Sequence, residues 1–262
     1  MILPGEKRVW LLGDNASPAL WRVFFFLCRI LLTAGSTEGY SRTGGTGNRP
    51  VFCFPSFIPV PGVRTADRRF MERKFVDKIE AAPIIAAVKD DRDLELCLKT
   101  EVDVVFILYG DVCSIQEIID KIKDSDRTAM VHMDLIAGLA PREEAVDFIR
   151  KKTRADGIIT TRANLVRHAR EVGLATVLRF FILDAMALSN IEKQAQLPYS
   201  AQPDVIEVLP GIIEPKVIKR ICKMSRVPVI AGGLIRDKEA VMNMLRSGAV
   251  AISTSSPEVW LL

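Results

Sequence analysis

Histidine is scarce in these 262 residues: only His132 and His168 occur, far apart in sequence. A multi-histidine metal centre is therefore out of reach, and no CxxC pair offers a zinc-binding alternative. The five cysteines (Cys28, Cys53, Cys97, Cys113 and Cys222) are odd in number and show no paired spacing. That excludes a disulfide framework and fits a reducing cytoplasm. Cys97, Cys113 and Cys222 sit among apolar residues and read as small core residues. Long apolar runs are missing too. The strongest, WRVFFFLCRILL at 21–32, is about half the length a spanning helix needs, and Arg22 and Arg29 interrupt it. No small-x-small cleavage site follows it, so neither a membrane anchor nor a signal peptide is expected.

A global charge field is also lacking. The net charge is +4, but residues 1–70 hold nine basic and four acidic side chains, leaving 27 basic and 28 acidic in 71–262. Any nucleic-acid surface in the larger part must be a local patch. No recognisable RNA-binding motif is present to place it. Three basic clusters fall on helix-like segments: Arg150, Lys151, Lys152 and Arg154; Arg162, Arg167 and Arg170; Lys216, Lys219, Arg220 and Lys223. Each is an RNA contact or an ordinary solvated face. A homodimer would join two such patches into a longer groove.

Residues 1–70 mix aromatic clusters with a Gly/Ser/Thr-rich run, EGYSRTGGTGNRP, and a Pro-rich run, FPSFIPVPG. No helix or strand period persists there, which argues against a separate domain. The segment reads as an unstructured extension, or as translated upstream sequence with Met71 as the natural start. Hydrophobicity this high without pattern is unusual for evolved disorder, which favours the second version.

From 71 onward the pattern is regular. Apolar strand-like runs at 84–88, 104–108, 129–134, 157–161, 174–180, 204–209, 228–232 and 249–254 alternate with seven helix-like segments, and a short piece follows the last. Continuous apolar strands are covered on both faces, as in parallel sheets. Eight such units predict an α/β fold, a compact (β/α)8 TIM-type barrel over 71–262. An open doubly wound sheet is the alternative, because order alone cannot show closure.

In such a barrel the chemistry sits at the C-terminal ends of the strands. Lys89, Tyr109, Asp111, His132, Asp134, Thr160, Thr161, Arg179, Asp184 and Glu207 fall there. The last two strands end in VIAGGLI (229–235) and SGAVAISTSS (247–256). Gly232, Gly233, Ser253, Thr254 and Ser255 concentrate backbone N–H groups and hydroxyls, the composition of a phosphate cradle. His132 and Asp134 share a strand face; they form an acid/base pair or metal half-site, or else His132 is bonded within the barrel and Asp134 caps the next loop. Arg179 offers a planar fork to a phosphate or carboxylate, or pairs with Glu207 on the next strand. Lys89 precedes Asp90 and Asp91, which favour its charged form; it is an anion contact or simply solvated, not a Schiff-base lysine. His168 lies on a helix and is expected to face solvent.

Six blocks occur in order: HMDLIAGL (132–139), ADGIITT (155–161), RFFILDA (179–185), PDVIEVLPG (203–211), PVIAGGLI (228–235) and GAVAISTS (248–255). Together they resemble the glycerol uptake operon antiterminator regulatory proteins of bacteria, over residues 71–262. The resemblance implies a cytoplasmic barrel that responds to glycerol 3-phosphate and binds the leader mRNA of a glycerol-use operon, letting transcription pass a terminator. It implies no further cofactor. It places Gly232, Gly233, Ser253 and Ser255 at the phosphate, and His132, Asp134, Arg179 and Glu207 around the rest of the ligand. The competing reading is a small phosphosugar or phosphotriose isomerase or lyase using His132, Asp134 or Glu207. Barrel and phosphate site fit both, since fold does not decide function.

Overall fold

The computed structural model describes residues 75–262. Cys28, Cys53, the 21–32 run, Met71 and the expected 1–70 extension lie outside them. Eight strands alternate with helices: α1 (75–81), β1 (Ile84–Val88), α2 (Asp91–Cys97), β2 (Val104–Ile107), α3 (Ile115–Asp124), β3 (Thr128–His132), α4 (Glu143–Lys152), β4 (Gly157–Thr160), α5 (Ala163–Glu171), β5 (Ala175–Phe181), α6 (Ala185–Gln196), β6 (Val205–Leu209), α7 (Pro215–Met224), β7 (Val229–Gly232), α8 (Lys238–Arg246), β8 (Ala251–Thr254) and α9 (Pro257–Trp260). All neighbouring strands pair in parallel, and β1 also pairs with β8 through Ile84↔Ile252 and Ile85↔Ser253. The sheet is a closed barrel, which decides against the open doubly wound alternative.

Each strand buries both faces. One set of side chains points outward under the helices, such as Ala86, Val105, Val131, Ile158 and Ile252. The alternating set points inward, such as Ile85, Phe106, Met130, Ile159, Val177, Val205, Ile230 and Ala251. Phe75 and Ile79 of α1 join the inner cluster, so this helix stops the N-terminal end of the barrel. Helix α3 shows why the outer segments are helical: Ile115, Ile118, Ile119 and Ile122 recur at helical spacing and are all buried. Aspartates cap three of the helices. Asp90, Asp184 and Asp237 accept from the N–H of Asp93, Ala187 and Ala240.

Four sequence expectations change. Strand β3 ends at His132, and Met133–Leu135 form a 3-10 turn, so His132 and Asp134 do not share a strand face. His168 is not solvent-facing: its side chain is 19% exposed, with Nε2 2.9 Å from Asp147 and Nδ1 near Glu143 and Glu171. Cys113 is exposed rather than in the core; Cys97 alone of the three is fully buried. Arg170 is buried, bonded to the Gln202 carbonyl and beside Asp204, so it is no surface contact. Among the described residues no helix is long and apolar enough to cross a membrane.

Candidate functional site

The inner cluster fills the lower barrel. One inward position further up five strands come His132, Arg179, Glu207, Gly232 and Ser253. All five are buried, with Glu207 at 0% and Arg179 at 8% exposure. Charge at that depth requires partners. Glu207 has two: Arg179 Nε donates to its Oε2 at 2.6 Å, and Ser253 Oγ donates to its Oε1 at 2.5 Å. The chain of contacts runs from β5 through β6 to β8, across β7. It fits only because β7 carries glycine there. A Cβ on Gly232 would collide with Ser253 Oγ and stand 2.7 Å from Glu207 Oε1.

The ion pair with Glu207 uses one nitrogen of Arg179. Its Nη1 and Nη2 bond to no group among the described residues. The structure therefore realises the Arg179–Glu207 pair and still leaves two guanidinium nitrogens for an anion. The charge of Arg179 acts on His132, whose pKa falls to about 4; burial is the larger cause, Arg179 the second, and Asp134 opposes both. The ring is thus neutral at physiological pH, and its buried Nδ1 has no hydrogen-bond partner among the described residues. This has a stability consequence. Unfolding returns His132 toward 6.5, so the unfolded chain takes up a proton first as pH falls, and stability present above about 6.5 is lost progressively toward about 4. Thermal melts across that range should flatten in the His132→Asn variant. An unaltered slope would show that His132 is not the group responsible.

The end of β7 is bent for a turn. Gly233 and Leu234 have φ of 78° and 62°. The Gly233 N–H donates to the Ser253 carbonyl at 3.3 Å, while the N–H groups of Leu234, Ile235 and Ser255 take no bond among the described residues. Thr254 points to the outer layer, where Oγ1 donates to the Ile235 carbonyl at 2.6 Å. Ser255 follows beyond the strand, half-buried.

Two predicted residues lie apart from this group. Asp134 is engaged by the next strand: it accepts from Thr160 Oγ1 at 3.1 Å and from the Thr161 N–H at 2.7 Å, with Arg162 at 3.6 Å. It fixes the loop after β3, as a loop cap does. Lys89 is exposed on the rim, 3.6 Å from Asp93. Among the described residues no cluster of histidine, cysteine and carboxylates suits a metal. Gly211 is a site residue the sequence did not single out. Its N–H donates to the carbonyls of Gly232 (2.5 Å) and Gly233 (3.1 Å), and a Cβ there would sit 2.5 Å from Ile235 Cδ1. The signal was the LPG ending of the sixth strand, whose glycine packs flat against the next strand end.

The sequence model for glycerol-3-phosphate responsive antiterminators matches residues 84–260, from the first strand of the barrel to its last helix. The chain belongs to the glycerol-3-phosphate responsive antiterminator family. It is 41% identical over 180 residues to the uncharacterized protein YgcP of Escherichia coli (strain K12), covering 69% of this chain and 92% of that one. Two solved structures agree. The glycerol uptake operon antiterminator regulatory protein of Listeria monocytogenes is 32% identical, with a TM-score of 0.63, over 68% of this chain and 95% of that one. The glycerol uptake operon antiterminator-related protein of Thermotoga maritima is 37% identical, with a TM-score of 0.60, over 68% and 98%. At the C-terminal end of the barrel in this family member, Arg179 and Glu207 form a buried charged pair, their side chains 8% and 1% exposed.

Proposed function

We propose that this chain is a cytoplasmic, glycerol 3-phosphate-gated regulator that binds the leader mRNA of a glycerol-use operon and lets transcription continue past a terminator. The observation that carries the ligand half is Arg179, a buried arginine at the barrel mouth that uses Nε on Glu207 and keeps two nitrogens unengaged among the described residues. A phosphomonoester dianion suits such a fork. The Leu234, Ile235 and Ser255 N–H groups add donors at the ends of β7 and β8. Phosphate would sit over Gly232, Gly233 and Ser253, with the Thr254 hydroxyl behind them. The glycerol hydroxyls would meet neutral His132 and Glu207, while Asp134 holds the adjoining loop and Lys89 adds positive potential at the rim.

The RNA half is supported by family membership. For the effector to gate, it must bind the RNA-competent state more tightly than the other; a tenfold change in RNA affinity corresponds to about 1.4 kcal/mol of coupling. The test is titration of the full chain with the leader transcript upstream of the host's glycerol-use genes, with and without glycerol 3-phosphate at fixed salt. Tighter binding with the ligand is expected. Ligand binding without any RNA binding would instead favour the phosphotriose enzyme, with His132 and Glu207 as its acid/base candidates.

A further inference from the structure

Of the three basic clusters, two are largely engaged. Arg150 donates Nε to the Val172 carbonyl, Lys151 pairs with Asp147 at 2.8 Å, and Arg154 with Asp124 at 2.7 Å. Arg170 is buried and Arg162 faces Asp134. Helix α7 differs. Lys216, Lys219, Arg220 and Lys223 recur at i, i+3, i+4 and i+7, all exposed, while Ile218 and Ile221 are buried on the opposite face. Arg226, also exposed, extends the line beyond the helix. Lys216 pairs with Glu214 at 2.9 Å and Arg220 approaches Glu192 at 3.6 Å. Lys219, Lys223 and Arg226 have no acidic partner among the described residues. From Lys216 to Lys223 the helix rises about 10 Å, roughly three phosphate-to-phosphate steps along one strand of a duplex.

The stripe is one loop from the ligand site. Strand β6 carries Glu207, and the loop leading into α7 is tied by the Gly211 N–H to the Gly232 and Gly233 carbonyls. We propose that the outward face of α7, with Arg226, is the track that holds the phosphate backbone of the RNA. The proposal rests on the antiterminator reading. Salt-dependent, sequence-independent contact of this kind comes from lysine and arginine neutralising phosphates.

The experiment follows binding of a labelled leader transcript to the full chain by anisotropy, with saturating glycerol 3-phosphate, between about 50 and 200 mM salt. The K219E/K223E variant should bind at least about tenfold more weakly at low salt, with the log–log salt slope shallower by about two. K219Q/K223Q should show the same slope change with a smaller loss, separating lost contacts from added repulsion. Calorimetric affinity for glycerol 3-phosphate should be unchanged in both, which also reports that they fold. A control, K151E/R154E, should bind RNA within about twofold of the unaltered chain, because those side chains are already engaged. Unaltered RNA affinity and slope in both α7 variants overturns the track, as does an equal loss in the control. If the unaltered chain binds no RNA in either condition, the antiterminator reading fails and the track with it. Binding through Lys219 and Lys223 to anionic phospholipid vesicles, and not to RNA, also overturns it.

Discussion

Arg179→Met is expected to weaken glycerol 3-phosphate binding by about tenfold to a hundredfold in calorimetry, the loss typical of removing hydrogen bonds to a charged group. The substitution removes the two guanidinium nitrogens at the mouth and keeps an apolar stem of similar length. It also leaves Glu207, fully buried, with Ser253 as its remaining partner. An uncompensated buried carboxylate costs about 3–5 kcal/mol, so the variant should melt early as well as bind poorly. The two effects are separable. In the double variant R179M/E207M no buried charge is stranded, so stability should recover in part while ligand affinity stays low. Arg179→Lys keeps the charge without the fork and should fall between. Affinity equal to that of the unaltered chain in a folded R179M would remove Arg179 from the pocket.

Asp204→Ala should lower stability by about 3–5 kcal/mol without touching the mouth. On the order of 10 °C in melting temperature is the corresponding reading for a domain of this size. Asp204 sits at the opposite end of the barrel wall, beside the start of β6. Its Oδ2 accepts from the Thr176 N–H at 2.8 Å and from Thr176 Oγ1 at 2.9 Å, and Arg170 lies 3.3 Å from Oδ1. Arg170 in turn donates to the Gln202 carbonyl and lies under the Tyr199 ring, 5.1 Å from its centre. Removing the carboxylate takes the Asp204 charge away from a buried guanidinium and leaves the Thr176 N–H without its acceptor. Asp204→Asn, which keeps the shape and some of the bonds, should lose less. A melting point for D204A within a degree or two of the unaltered chain would show that Arg170 finds other partners.

The barrel was legible because its signals are local. Eight apolar runs and the helical spacing between them depend on neighbours a few residues away, and a parallel sheet buries both faces of each run. The inward top layer was legible for the same reason: a polar residue ending an apolar strand, as in RFF or VIEVL, stands out against its surroundings. What stayed hidden was set by partners distant in sequence. Asp134 leaves the strand pattern because Thr160, at the end of the following strand, and Thr161, just past it, capture its carboxylate. His168 is drawn among Asp147 and Glu143 of the preceding helix, which no local pattern shows. Arg170 looked like part of a basic face until Gln202 and Asp204 closed over it. The β7 end is the subtlest case. Its glycines read as phosphate donors, yet Gly232 is also required by the Ser253 and Glu207 side chains that fill the space its Cβ would take.

Closure between β1 and β8 has a consequence in time as well as in space. The pairing of Ile84 with Ile252 joins the first strand to the last. A ribosome releases the chain in order, so β1 waits with an unsatisfied edge while the rest of the barrel is made. β7 waits likewise until Ala251–Thr254 emerges. Contacts this remote carry the largest loop-closure entropy and form late. Ser253, which completes the bonds to Glu207, arrives on that final strand. The nascent protein therefore acquires its sealed sheet and the completed Arg179–Glu207–Ser253 contacts in the same step, after translation of the barrel has ended.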